Sequence, residues 1–257
     1  MKRLENIENK LVPIIFFSLI LLVWQFTVDN GIVDRFTLPS PTDILITFVE
    51  ILPNIMNHIM ITLQEAFLGF TIAVGLAIVL SILMDNVPLI KKAIYPIVIV
   101  SQTVPLIALA PLFAMWFGFG KLPKVIVVIL VCFFPVLVSL LHGLESVDKD
   151  LLNLLKSMGA SKLHIFRLVK FPASLVSFFS GLRIAATYSI MGAIIGEWMG
   201  GKAGLGIYMM RIKHSYAYDK FFAVILIIVV LSMIFFKFIC IIQNLLMPWS
   251  KELKENE

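Results

Sequence analysis

The chain of 257 residues is 60% hydrophobic and only 14% charged, with a net charge of +5 and a mean hydropathy of +1.00. A soluble domain is about 45–50% apolar and about 25% charged; an interior of this size cannot hide such an excess from water, and the remaining solvent is lipid. Disorder is excluded because disordered chains are poor in apolar residues, and a disulfide scaffold because the two cysteines, Cys132 and Cys240, both sit in apolar runs. The positive charge does not point to nucleic acid: no basic stretch is interleaved with aromatics on a polar surface. It belongs to loops that face anionic lipid and cytoplasm.

Charge-free windows of roughly 20 residues predict six spanning helices. They cover 11–28, 66–84, 93–120 and 125–144, then about 176–198 with Arg183 near its start, and about 221–246 with Lys237 inside. The first is longer than the apolar core of a signal peptide, has no small-x-small site after it, and reads as a retained helix. With the N-terminus inside, twelve Lys/Arg fall in inner segments and seven in outer ones, which places both ends in the cytoplasm. Four of the seven lie in 199–220, and an odd number of spans would move that loop inside. Residues 29–58 read as an outer segment, with Ser40 or Thr42 capping an interfacial helix in which Ile44, Leu45, Phe48, Ile51 and Leu52 recur at helical spacing. The whole chain, 1–257, reads as a single membrane domain with one long inner loop, 145–175.

No constellation for catalysis or metal binding is visible. His58, His142, His164 and His214 are scattered, and H-E-x-x-H, C-x-x-C and G-x-S-x-G do not occur. Gly196-Glu197-Trp198-Met199-Gly200-Gly201-Lys202 has the spacing G-x-x-x-x-G-K, but Ala203 stands where a phosphate loop needs Ser or Thr, and a membrane helix precedes it. It therefore reads as a turn, and the chain has no ATPase signature. Glu65, Arg183 and Glu197 lie near span ends, with a functional and a structural reading for each; Lys237 reads as snorkelling. In the third span, Pro96, Pro105 and Pro111 surround Ser101-Gln102-Thr103. Proline frees carbonyls and kinks a helix, so Gln102 and Thr103 either line a pathway at the bend, together with Glu197, or are satisfied by neighbouring helices. Small residues recur at every fourth place: Gly69, Ala73, Ala77 and Ser81; Gly181, Ala185, Ser189 and Ala193; Gly192, Gly196 and Gly200. Such faces allow close helix packing in lipid, internal or between subunits.

In the inner loop, Leu151, Leu154, Leu155 and Met158 share one helical face and Gly159 stops that helix. Ser161 can cap a second short helix, which ends before Pro172. The apolar face either takes a partner or folds onto the membrane surface. Gly159-Ala160-Ser161, and then Val169-Lys170-Phe171-Pro172 nine residues after Gly159, resemble the coupling loop of binding-protein-dependent ABC importer permeases (E-A-A, three residues, G, nine residues, I-x-L-P). Leu38-Pro39-Ser40-Pro41, the stretch from Pro105 to Leu112, Trp116-Phe117-Gly118-Phe119-Gly120 and Gly204-Leu205-Gly206 extend the resemblance over nearly the whole chain. Asn153, Leu154 and Leu155 occupy the E-A-A positions, so the contact made by that glutamate does not carry over.

The resemblance implies an all-α type I ABC importer transmembrane domain in a bacterial cell membrane. Asn153, Leu154, Leu155, Gly159, Ala160, Ser161 and Pro172 would couple it to separate ABC ATPase subunits. ATP and magnesium would sit on those partners, with no cofactor in this chain. A second permease copy would complete a homodimer, and an extracytoplasmic solute-binding protein would deliver the cargo. Within the family, Gly192–Met209 is most similar to permeases for pyrimidine precursors of thiamine, with sulfonate, taurine, nitrate and riboflavin-like solutes as alternatives. A secondary transporter is the competing class; it would need intramembrane coupling-ion carboxylates and often inverted repeats, which are not seen.

Overall fold

The computed structural model describes residues 2–248, with side chains from Leu11 onward. Among them every regular element is helical: α1 (Lys2–Asp29), α2 (Pro41–Asn86), α3 (Pro88–Ser101), α4 (Leu106–Phe117), α5 (Lys121–Glu145), α6 (Lys149–Ser157), α7 (Lys162–Ile165), a π turn (Phe166–Lys170), α8 (Phe171–Trp198), α9 (Leu205–His214) and α10 (Tyr218–Leu246). Five stretches are each long and apolar enough to span: Leu11–Asp29, Pro41–Asn86, Lys121–Glu145, Lys162–Trp198 and Tyr218–Leu246. The α3 and α4 helices qualify together but are bent by 100° at their break.

Ion pairs decide whether that bent pair crosses. Lys91, at the start of α3, pairs with Glu145 at the end of α5. Asp85, at the end of α2, pairs with Lys170 just before α8. At the other end of α5, Lys124 pairs with Glu65 of α2. Thus α3 begins beside one end of α5, while α4 leads within three residues into the other. The pair runs the length of α5, and counted as one span it brings the number of candidate spans to six, the number that the charge-free windows predict.

The chain forms two compact units, 2–56 with 208–227, and 57–207 with 228–248. In the second, α5 lies between α2 and α8, and the small-residue faces make both contacts internal. A β-carbon on Gly69 would strike Val128 of α5, and one on Gly181 would strike Ser139 and the carbonyl of Pro135. Ala73, Ala77, Ala185, Ser189 and Ala193 are fully buried. Ser81 donates to the Leu137 carbonyl at 3.2 Å and Cys132 to the Ala185 carbonyl at 3.3 Å. Backbones in such close approach gain dispersion and lose little side-chain entropy, which is how helices associate where lipid is as apolar as protein. In the first unit, Trp24 packs edge-on against Phe222 and Phe36 against Tyr218. Gln25 of α1 meets Thr42 at the start of α2.

Four expectations are corrected. The interfacial helix expected after Ser40 and the span expected over 66–84 are one 46-residue helix, α2. Asn54, Asn57, His58, Gln64 and Glu65 suggest a break, but Ile51, Ile55, Ile59, Thr62, Ala66, Phe70 and Ala73 form one buried stripe at spacings of three and four, and Pro53 is accommodated within the helix. The helix capped by Ser161 does not end before Pro172 but continues through the π turn into α8. An extra residue in the turn relieves proline's missing donor and its clash with the carbonyl four residues back. Residues 199–220 are not a plain loop but hold α9. Lys124, one of the seven cations assigned to outer segments, is not a solvated loop charge: it is 4% exposed and ion-paired, so it leaves the outer count.

Candidate functional site

Three places in the 57–207 unit carry the residues singled out by sequence. The first is a buried knot at the end remote from the 145–175 loop. His58, Thr62 and Glu65 fall on one face of α2 at spacings of four and three. Opposite them the last turn of α8 presents Glu197, which is fully buried. Its carboxylate accepts from the Thr62 hydroxyl at 2.6 Å and from the Gly206 N–H at 2.5 Å. Thr62 also accepts the Leu205 N–H at 2.9 Å, and the His58 Nδ1 lies 3.0 Å from both the N–H and the carbonyl of Gly204. Gly204 has φ +132°, and its missing β-carbon leaves the space taken by the Glu197 carboxyl. Gly204-Leu205-Gly206 is thus a backbone cradle for a carboxylate. Beside it, Glu65 and Lys124 pair at 3.0 Å, with side chains 1% and 5% exposed, and the second Glu65 oxygen has no hydrogen-bond partner. The knot ties α2, α5, α8 and the loop before α9 together. The G-x-x-x-x-G-K stretch closes it; a helix, not a strand, leads in, and Gly201 abuts Ile207 and the Lys124 ammonium.

The second place is the break between α3 and α4. The Ser101 and Thr103 hydroxyls fold back onto the carbonyls of Val98 and Val100, both at 2.7 Å. The Gln102 N–H reaches Ile99 O at 3.2 Å, and Pro105 opens α4. A cavity of about 480 Å³ lies against this break, lined by Ser101, Gln102, Leu106, Phe134, Tyr188, Met191 and other apolar side chains, with no charged residue among them. Gln102 lines it, Thr103 does not, and Glu197 lies in the knot. Tyr188 is the polar lining residue that sequence reasoning missed, beside apolar ones such as Phe134 and Met191. Its only signal is its place on α8, next to the small face that ends at Ala193.

The third place is the elbow. Asp148 caps α6 by accepting from Asp150 N at 2.8 Å, Gly159 turns the chain at φ +83°, and Ser161 caps α7 by accepting from His164 N at 3.3 Å. Leu151, Leu154 and Met158 are exposed, as is Asn153, whose carbonyl accepts the Ser157 hydroxyl at 3.0 Å. Leu155 and Ala160 are half-buried, and Pro172 sits in the first turn of α8. The Gly159 turn and the Ser161 cap stand where the sequence places them; the Asp148 cap is added by the structure.

Residues 73–247 match the family model of the binding-protein-dependent transport system inner membrane component. The chain is 35% identical over 243 residues to a formylaminopyrimidine transport permease protein of Halalkalibacterium halodurans, covering 94% of this chain and 97% of the relative. It is 28% identical to a putative aliphatic sulfonates transport permease protein of Bacillus subtilis, over 96% of this chain and 89% of that one. It is also 28% identical to a riboflavin transport system permease protein of Chloroflexus aurantiacus, over 90% and 87%.

Proposed function

From the premise that the chain belongs to the family of binding-protein-dependent transport inner membrane components, we propose that this ABC importer permease carries a neutral aminopyrimidine of the thiamine-precursor type. The permease class holds for each of the relatives above; the solute is the finer step, and the secondary-transporter reading falls with the family. One observation carries that step: the cavity at the α3–α4 break holds a glutamine amide and a tyrosine ring and no charge. A sulfonate or taurine brings a fixed negative charge, and taking it into an uncharged, mostly apolar cavity is costly without a cation. A neutral aminopyrimidine offers a donor–acceptor edge to an amide and a flat ring to an aromatic face. The formylaminopyrimidine named for the relative from H. halodurans is of this kind.

The permease itself does no hydrolysis. ATP and magnesium belong to separate ATPase subunits that grip α6, with Asn153, Leu154 and Leu155 in the groove and Gly159, Ala160, Ser161 and Pro172 shaping the elbow. A second copy faces the open side of the cavity to complete the path, and a solute-binding protein delivers cargo at the knot end. Both termini and the elbow are cytoplasmic. From the elbow, α7, the π turn and α8 run as one helix of 37 residues, Lys162–Trp198, ending at the Glu197 knot. At 1.5 Å per residue that is roughly 55 Å of rod, so a tilt imposed at the elbow reaches the far end without a joint. The α2–α5–α8 bundle swings as a body, and the bend at Gln102 opens or closes beside it.

Uptake of radiolabelled aminopyrimidine, riboflavin and taurine in cells expressing the whole system tests this reading. Aminopyrimidine enters, taurine does not, and Gln102→Ala lowers aminopyrimidine uptake about tenfold, the equivalent of one hydrogen bond of roughly 1.4 kcal/mol. Taurine uptake at the same rate would refute the solute assignment while leaving the permease class intact.

A further inference from the structure

We propose that a second cavity, beside the coupling elbow, is a phosphate-binding site. It measures about 230 Å³ and lies among the end of α2, the last turn of α6, α7 and the π turn. Three ammonium groups line it, Lys156, Lys162 and Lys170, against one carboxylate, Asp85. That carboxylate is already spent. It is 6% exposed, and both its oxygens accept from Lys170, at 2.6 and 2.9 Å. Lys156 and Lys162 have no acidic partner among the described residues. The lining therefore carries three positive charges and one negative, a balance of +2 around a space of a few ångströms.

Like charges so placed repel one another; Lys156 and Lys162 are exposed, so water screens that repulsion in part, and an apolar wall on one side limits the screening. Here Ile165, which is buried, and Phe166 supply such a wall. The end of a helix explains one lysine at most: Lys156 lies in the last turn of α6, where a cation meets the negative end of the dipole. Lys162 stands in the first turn of α7, where the dipole disfavours it. A phosphate ester carries between one and two negative charges near neutrality and offers three acceptor oxygens, which balances the excess and gives Lys156 and Lys162 a partner beside the Lys170 ammonium. Lysine binds phosphate as a point charge and needs no planar fork. Because Lys156 belongs to α6, Lys162 to α7 and Lys170 to the turn leading into α8, one anion held by all three would staple the lever to the span it drives.

Two sources supply this chemistry, the headgroup of an anionic lipid and a free cytoplasmic phosphate ester. The free source requires the elbow to face the cytoplasm, as proposed above; binding itself requires neither transport nor a particular cargo. The purified full-length permease is therefore tested without its partners. One arm titrates inorganic phosphate and reads thermal unfolding and phosphorus NMR line width. The other compares phosphatidylglycerol with phosphatidylcholine nanodiscs and counts retained lipid by native mass spectrometry. Variants are Lys156→Gln with Lys162→Gln, and Lys92→Gln as a control outside the cavity. The double variant is expected to weaken phosphate binding, or phosphatidylglycerol retention, at least tenfold, while Lys92→Gln leaves both at the parental level. Loss in the first arm alone assigns a free ester, and loss in the second alone assigns a lipid. Neither probe binding the parent, or equal binding by parent and double variant, overturns the proposal; equal unfolding temperatures without ligand show that the double variant is folded.

Discussion

Replacing Lys124 with Met probes the knot at its centre of charge. The parent places two carboxylates, Glu65 and Glu197, within Coulombic reach of one ammonium. Met keeps the length of the side chain and its packing against Gly196 and Gly201, but it leaves two buried carboxylates facing each other with no cation. Breaking a buried pair from one side costs about 3–5 kcal/mol, because the surviving charge stays desolvated. For a chain of this size that lowers the unfolding temperature by roughly 10 °C. Adding Glu65→Gln to Lys124→Met removes the stranded charge, and replacement of both partners is often close to neutral. The double variant is therefore expected to recover most of the loss. The assay is thermal unfolding of detergent-purified protein, parent, both singles and the double, read as a double-mutant cycle. A double variant as unstable as Lys124→Met would refute the reasoning, because packing and not charge would then carry the position. An unshifted Lys124→Met would refute it as well.

Three further predictions use the elbow and the loop before α9. Gly159→Val should leave the permease in the membrane but uncouple ATP turnover from uptake. Open space surrounds a β-carbon there, so the penalty is purely one of backbone, about 1–2 kcal/mol at φ +83°; normal uptake by the variant would count against the lever. Lys202→Ala should leave ATP turnover by the assembled complex within about twofold of the parent, since a phosphate-loop lysine would be needed for turnover itself; saturable ATP binding to the isolated chain would contradict this. Cysteines placed at Ala203 and Lys156 should be labelled by an impermeant reagent from opposite faces of the membrane, and labelling from one face would break the six-crossing topology.

What the sequence makes legible depends on whether the physics is local. Spans follow from runs without charge, because desolvating a charge in lipid dominates every other term. The elbow follows from Gly159 and Ser161, because caps and positive φ are settled within a few residues. The bend follows from three prolines around Gln102, although its 100° does not. The knot is not legible in the same way. Glu65 and Lys124 are 59 residues apart, and Thr62 and Glu197 are 135 apart. Nothing local says that these polar residues compensate one another, so a charge such as Lys124 reads as a loop when it is a partner. Helix α2 is misjudged for the same reason, since His58, Thr62 and Glu65 interrupt an apolar stripe only until their partners are known.

The knot and the elbow are opposite solutions at the two ends of one rod. At the elbow end one ion pair is partly open to solvent, with Lys91 and Glu145 33% and 39% exposed, while Asp85 of the other is 6% exposed. Exposed pairs contribute little, about 0–1 kcal/mol, and can break and re-form as a helix tilts. At the knot the pair is closed, Glu197 has both oxygens engaged by α2 and the Gly206 backbone, and glycine contacts at Gly69 and Gly196 set α5 against its neighbours without a gap. Stripping a partner there costs several kcal/mol. Near the elbow Gly143 of α5 abuts Ser174 of α8, so these two helices stay closely packed along their length, and the two ends differ in their polar contacts rather than in their packing. The polar cluster is then kept for geometry: it fixes where α2, α5 and α8 meet, while the break at Gln102–Pro105, with no tertiary hydrogen bond from its Gln102 amide among the described residues, is the segment of the bundle least tied to its neighbours by polar contacts.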